Sequence, residues 1–593
     1  MNRMLLGGLM LAALVLGPLA QARAQGQNAD ADARFKTIYT QEWAWRSGAS
    51  SGPRGRALPD NSRLDTVDAK SQQERLSYWT HVLSELDALD VKALSPANQV
   101  NYAVYHRQIA NFVSDGRFKT WQMPFNSDSA FWSDLYEQLG GDQLRSVADY
   151  RAYLQKLAQV PRYFAQEEAD MRLGLARGFS VPRAVLDGRD RSIAEEAQRK
   201  NPTNSPYYKP FRQMPGNIPK TQAEALRERA RRVIARQLTP AYARLLVFFD
   251  HVYLPRARTT LAAESLPDGK AYYRQQILQY TTLNLGPDAI HSIGLREVAR
   301  IHAKMLRTMR ATGFNGSFFD FLTYLRTNPR FYARTSQELL DKTAWVAKEV
   351  DGQLSRLFGH LPRERFTIEP VPAGIAPYYT SGRGGPSVYL VNTYDLKSRP
   401  LYDMPALTLH ESYPGHALQL ELASEANNQP AFRRDGYISA YGEGWALYSE
   451  YLGNVMGIYK TPYQRFGFLT YQMWRACRLV VDTGIHHMGW SRQKAINYML
   501  ANTALSRREI ENEVDRYISW PGQALSYELG YMEIRRLRAK AEKALGSNFN
   551  IRAFHDTVLS TGSVPLPVLA RRIDRFIAEG GPEPAFSCDC AKR

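Results

Sequence analysis

The segment PALTLHESYPGHALQ (405–419) brings His410, Glu411 and His416 into one short stretch. Zinc is held by neutral imidazoles and carboxylates, usually with three protein ligands and one open position. A Glu beside the first ligand can take a proton from the water that a metal activates. The helical form of this arrangement is H-E-x-x-H, whose histidines share one face at i, i+4. Here the histidines are six positions apart, which in a regular helix turns them about 120° from each other. Pro414 cannot donate to the carbonyl of His410 and clashes with it, and Gly415 tolerates unusual dihedrals. The sequence therefore predicts a bulge or break that returns His416 to the face of His410. The third ligand should be a carboxylate or histidine from the next helix. Glu443, between two glycines in YGEGWALYSE (441–450), is the best candidate. Glu450 follows it by two helical turns and could orient a ligand. A solvated acidic stripe is the alternative, which the surrounding aromatic and apolar residues disfavour.

Other groups with suitable chemistry follow in the C-terminal third. A peptidase needs donors for the oxyanion formed opposite its zinc. His486, in DTGIHH (482–487), and Tyr527, in RYISWPGQALSY (516–527), are of the right type, and Arg516 could hold a substrate carboxylate. Each alone is more often structural; their concentration near the metal motif raises the functional reading. The glycine-rich SGRGG (381–385) lacks the G-x-x-x-x-G-K-[ST] pattern of a phosphate cradle and reads as a loop above a cleft. Serine-hydrolase patterns such as G-x-S-x-G are absent.

The elements that must carry these residues are mostly helical. Apolar positions recur at i, i+3, i+4 over 66–90, 96–114, 145–175, 219–250, 287–312 and 335–358. Residues 176–218, rich in proline and glycine, read as an irregular crossing. FTIEPVP (366–372) and SVYLVN (387–392) are β-rich and bounded by Pro and Gly. They predict a small sheet just before the His-Glu helix, whose edge could pair with an extended substrate. The expected fold class is mainly α: a large helical fold with a deep cleft and a small β-sheet beside the active-site helix. One helical domain over 25–593 is expected, with two subdomains around the cleft as the alternative, and 360–545 carrying the site.

The first residues read as a secretory signal over 1–24. Arg3 is the positive start, Met4–Leu19 the apolar run and Ala22-Arg23-Ala24 the cleavage site. The run is short for a spanning helix, which needs about 20 apolar residues. The implied location is periplasmic or secreted, with no stable membrane insertion after signal removal. No cysteine near the cleavage site offers a lipid attachment point. Cys477 reads as a buried small hydrophobe; Cys588 and Cys590 could pair with each other or with Cys477. The net charge of +18 suits contact with anionic surfaces, or is simply a solvated basic surface. No nucleic-acid motif accompanies it, so nucleic acid is not an expected partner.

On these residues the chain resembles the bacterial family of unknown function numbered 885. The blocks IHSIGLREVARI (290–301), PVPAGIAPYYTSGRGGPSVYLVNTYDL (370–396), PALTLHESYPGHALQ (405–419), YGEGWALYSE (441–450), DTGIHHMGWSRQKAINYM (482–499) and EVDRYISWPGQALSYELG (513–530) carry the resemblance. The Pro-Gly between the histidines is itself a mark of the family. Many relatives have a second histidine where this chain has Ala417, which favours His416 as the ligand. Tyr379 and Tyr389 of the second block are candidate substrate contacts. The order of strand, His-Glu helix, Glu helix and downstream His and Tyr is similar to that of zincin peptidases such as angiotensin-converting enzyme and the thermostable carboxypeptidases. That resemblance implies one Zn²⁺ on His410, His416 and Glu443, with Glu411 as base, and Tyr527 and His486 at the scissile carbonyl. It also implies a deep channel suited to short peptide substrates. The alternatives are a non-catalytic peptide- or envelope-binding protein of the same fold, and a metal-dependent hydrolase of another amide.

Overall fold

A computed structural model of the chain describes residues 12–47, 62–127, 129–141, 144–373, 375–426, 429–434 and 436–584. Residues 1–11 of the expected leader, and Cys588 and Cys590, lie outside them. The chain divides into two compact units. One takes residues up to 121, 136–167 and 199–241; the other takes 122–135, 168–198 and everything from 242.

The smaller unit is built on α1 (Ala12–Arg46), α2 (Ala69–Asp87), α3 (Pro96–Phe118), α4 (Val147–Leu157), the start of α5 (Val160–Ala176) and α6 (Lys220–Val233). Side chains start the helices where the sequence offers caps. Asp68 accepts from Ser71 at α2, Ser95 caps α3 ahead of Pro96, and Ser146 with Asp149 forms a capping box at α4. The single helix expected over 145–175 is two, because Pro161 has no N–H to continue the ladder and instead sits in the first turn of α5. Glu42 is fully buried and paired by Arg46, Trp79 and Tyr105 at 2.8–3.0 Å. A buried carboxylate needs such partners to remain charged.

The larger unit contains α7 (Pro287–Ala311), α8 (Ser336–Asp351), a three-stranded sheet, and α9 (Met404–Glu411), α10 (His416–Glu425), α11 (Ser439–Val455), α12 (Pro462–His486), α13 (Arg507–Ser519), α14 (Ser526–Leu545) and α15 (Ile551–Ser560). The fold is mainly α, as the periodicity predicts. Helix α12 is its axis: from Phe466 to His486 every residue is buried. The charged side chains within that buried stretch therefore have polar partners. Arg478 reaches Glu513 of α13 at 2.6 Å, and Asp482 accepts from Tyr273 at 2.6 Å and from the Gly522 N–H. Burial nonetheless pushes the Asp482 carboxyl up to about 7. Cys477, fully buried on the same helix, is a packing residue.

The sheet comprises β1 (Thr367–Pro370), β2 (Gly382–Gly385) and β3 (Val388–Val391) in the order β1-β3-β2. β1 runs parallel to β3 and β2 antiparallel to it, with Gly384 opposite Tyr389. Two of the strands fall where the β-rich segments predict them. The third is a correction: the glycine-rich segment expected as a loop is an edge strand. Its pairing comes from its neighbour, because Gly-Arg-Gly-Gly has no alternation of its own to reveal a strand. No helix among the described residues is long and apolar enough to cross a membrane.

Candidate metal centre

The chain breaks between the two histidines, as the Pro-Gly pair predicts. Helix α9 ends at Glu411, the Tyr413–Pro414 peptide is cis, and α10 begins at His416. Gly415 passes so close to the carbonyls of Leu409 and His410 that a Cβ there would collide with both. The indole N–H of Trp445 on α11 donates to the Pro414 carbonyl at 2.8 Å. It fixes the break against the helix that carries Glu443 and satisfies a buried backbone acceptor. The two imidazoles then stand nearly perpendicular, with ring centroids 4.8 Å apart.

His410, His416 and Glu443 form a cluster in which one ligand atom from each lies within 4.8 Å of the others. Nε2 of His416 is 3.2 Å and Nε2 of His410 3.6 Å from the same Glu443 oxygen. Behind them the Nδ1–H of His410 donates to Glu450 at 2.8 Å, and Arg475 stands 3.6 Å from that oxygen. This fixes the orientation of the His410 ring and turns its Nε2 into the cluster. Burial works against a charge on His410, but hydrogen bonds to Glu443 and Glu450 outweigh it and lift the imidazole to about 9. Burial likewise opposes the Glu443 carboxylate, yet His416 and His410 hold it well below the usual range. The cluster as a whole thus attracts cations.

Glu411 flanks the cluster, largely buried, and accepts the Gly384 N–H of the edge strand at 2.6 Å. A Cβ at Gly384 would strike the Glu411 carbonyl, so a glycine is needed for the strand to lie on the helix end. Glycines flank Glu443 for two different reasons. Gly444 meets the backbone of Gly530, which lets α11 and α14 cross at close range. Gly442 leaves room for the ring of Tyr437, whose phenol is held above its ordinary range by burial and by the nearby Glu443 carboxylate.

The other expected site residues are placed unevenly. Tyr527 lies near Tyr437, one residue removed from the cluster, with its hydroxyl taking bonds from Arg516 and Gln523 at 3.3 Å. Arg516 also pairs with Glu513 at 3.6 Å and joins Tyr527 rather than His410 or His416. Tyr379 sits in the loop before β2, with the Arg383 guanidinium over its ring at 5.2 Å. Tyr389 is a correction: it is fully buried, because the alternation of β3 turns it and Val391 inward, and no substrate can reach it. His486 is the second correction. It is fully buried, its Nδ1 accepts the Ala263 N–H at 3.0 Å and its Nε2–H donates to the Tyr517 carbonyl at 2.8 Å. Both nitrogens are occupied by backbone, so the ring has no atom to offer an oxyanion. Tyr437 is the residue that sequence reasoning missed. It lies in the turn before α11, outside any spacing rule, and the only hint was its position just ahead of the YGEG segment.

Two solved structures share this architecture. A Colwellia psychrerythraea protein described as a candidate lipoprotein superposes with a TM-score of 0.82 at 25% identity, covering 94% of this chain and 99% of its own. A Shewanella oneidensis protein, described as a candidate lipoprotein of unknown function, has a TM-score of 0.65 at 16% identity, covering 91% and 98%. No functionally curated protein matches the chain. The profile of the bacterial proteins of unknown function called DUF885 matches residues 43–573, and the chain belongs to that family.

Proposed function

We propose that the protein is an exported zinc-dependent hydrolase that cleaves peptide bonds. The observation that carries the proposal is the convergence of His410, His416 and Glu443, with the Glu411 carboxylate following directly on His410. Two imidazoles and one carboxylate form a nitrogen–oxygen donor set that suits zinc, and three protein ligands leave a position for substrate or water. The carboxylate on the far side of His410, from Glu450, is the kind of partner that makes an imidazole a better ligand. The family is of unknown function, and the relatives' descriptions as lipoproteins support an envelope location without indicating a reaction.

A zinc ion held there would polarise a carbonyl and make water acidic near neutral pH. The chain's own residues divide the remaining work. Glu411 has one carboxylate oxygen held by the Gly384 N–H. Its other oxygen is the base that takes the proton from the attacking water and passes it to the leaving amine. The edge of β2 beside it offers backbone groups to an extended peptide. Tyr437, a partly exposed phenol beside Gly442 and near Glu443, is the donor we assign to the oxyanion, with Tyr527 close to it.

Elemental analysis of the purified protein, followed by a peptide-library screen of wild type and Glu411→Gln, tests the reading. One zinc per chain and turnover that the substitution abolishes are the expected results. Zinc without turnover on any peptide would replace the peptidase with a binding protein of the same fold. Turnover of a non-peptide amide alone would move the substrate class.

A further inference from the structure

In the larger unit, lined by none of His410, His416 and Glu443, α7, α11, α12 and α14 border an open cavity of about 790 Å³. Its walls carry six cations, Arg300, Lys304, Arg307, Arg465, Arg535 and Arg536, against a single carboxylate, Glu297. Two of the six are neutralised: Arg300 by Glu297 and Arg536 by Glu533. Among the described residues, no acid lies within ion-pairing distance of Lys304, Arg307, Arg465 or Arg535. Three of the cations come from one helix stripe, since Arg300, Lys304 and Arg307 follow at i, i+4 and i+7 on α7. Like charges at that spacing weaken a helix, so the arrangement costs stability unless something anionic sits among them. Arg535 is held ready: its guanidinium stacks on Tyr451 at 3.6 Å and one N–H reaches the Tyr531 hydroxyl at 3.2 Å. Arg465 is anchored by the Tyr459 carbonyl at 3.4 Å.

We infer that this cavity is a binding site for an organic phosphate, separate from the metal centre. Arginine forks match the oxygens of a phosphate, and a phosphate concentrates up to about two negative charges in one group, as four unpaired cations require. The volume lies in the range of sites for small organic ligands, about 300–1,000 Å³. Tyr451, Phe468 and Leu469 give the cavity an apolar wall for the carbon part of such a ligand. Burial and the neighbouring Arg300, Arg535 and Arg307 make the Lys304 ammonium less basic than usual, which an entering anion would reverse. The phosphate could belong to a soluble metabolite or to a lipid headgroup at a membrane surface.

The test uses the full-length protein as purified, and the His410→Ala variant controls for anion binding at the His410 and His416 cluster. Inorganic pyrophosphate is titrated calorimetrically into wild type, a Lys304→Ala/Arg307→Ala double variant, and His410→Ala. Saturable binding at one site per chain is expected, weakened about tenfold or more in the double variant, which corresponds to about 1.4 kcal/mol. His410→Ala should bind as wild type does. The melting temperature of the ligand-free double variant should not fall, since neither side chain makes an ion pair. Sedimentation with vesicles of phosphatidylglycerol and phosphatidylcholine, against phosphatidylcholine alone, separates the sources. Vesicle binding lost in the double variant identifies a headgroup, while pyrophosphate binding without vesicle binding identifies a soluble phosphate. Absence of saturable binding in wild type, equal affinity in the double variant, or loss only in His410→Ala would overturn the inference.

Discussion

Two pairs of histidines lie in the same unit, buried to nearly the same degree, and differ in what they face. His410 and His416 look toward carboxylates: Glu443 for both, and Glu450 for the outer nitrogen of His410. His486 and His555 face neutral groups. His486 lies between the Ala263 N–H and the Tyr517 carbonyl, and His555 between the Leu357 carbonyl and the Tyr448 hydroxyl. The consequence is opposite electrostatics. His410 is lifted to about 9, whereas burial takes His486 and His555 down to about 3. The second pair has its hydrogen bonding complete without any charge. The first pair is complete only when a cation joins it, whether protons or a metal. Burial therefore says little about a histidine's role, and the charge of its partners says a great deal.

The comparison can be broken in several ways. The largest effect should come from Glu411→Gln, which is expected to lower peptide hydrolysis by about 10²- to 10⁴-fold while zinc content stays at one per chain. Hydrolysis that survives this substitution would remove the base from the mechanism. Next, His410→Ala should abolish bound zinc in elemental analysis. His486→Ala should leave zinc in place but reduce stability by about 2–4 kcal/mol in urea titrations, because two buried backbone groups lose their partner. If His486→Ala also emptied the metal, the two pairs would not be independent.

Acid sharpens the same contrast at a smaller scale. His486 and His555 have folded pKa values of about 3, against about 6.5 in an unfolded chain. Between those values the unfolded state binds the protons. Their contribution to stability is therefore full above about pH 6.5 and declines as the pH falls toward 3, by up to about 1.4 kcal/mol per pH unit for each ring. Urea midpoints measured at about pH 7 and pH 5 should diverge less in His486→Gln than in wild type; an equal divergence would assign the acid sensitivity elsewhere. The smallest effect expected is that of Glu450→Gln, which should weaken zinc about 10- to 100-fold without preventing its binding. Competition with a colorimetric chelator reads that directly.

Much of this was legible in the sequence, and the misses have physical causes. Periodicity located the long helices because each buries one face, and Pro414-Gly415 announced the break between the ligands because both residues disrupt a helix by their own chemistry. The split at Pro161 was open to the same logic. β2 was not legible, since its strand character is imposed by β3 rather than by its own residues. The position of Tyr389 could have been read, because Val388–Val391 alternates and β3 has to turn one face inward. His486 misled because closeness in sequence to active-type motifs carries no information on which groups its nitrogens meet. Tyr437 approaches Glu443 through a turn, and a turn's path is set by packing that no local pattern encodes.

The break at Ser412–Gly415 also bears on how the protein holds itself together. Both histidines of a single-helix motif would be positioned as soon as that helix formed. Here His410, His416 and Glu443 come from three helices, so the cluster exists only once α9, α10 and α11 have docked, with Trp445 closing the joint on Pro414. An ion bound there would act as a rivet through three plates, adding its binding free energy to their docking. Stripping zinc should then loosen α10 and the chain leading to α11 first, as faster amide exchange or proteolysis there, while the buried axis of α12 keeps its protection.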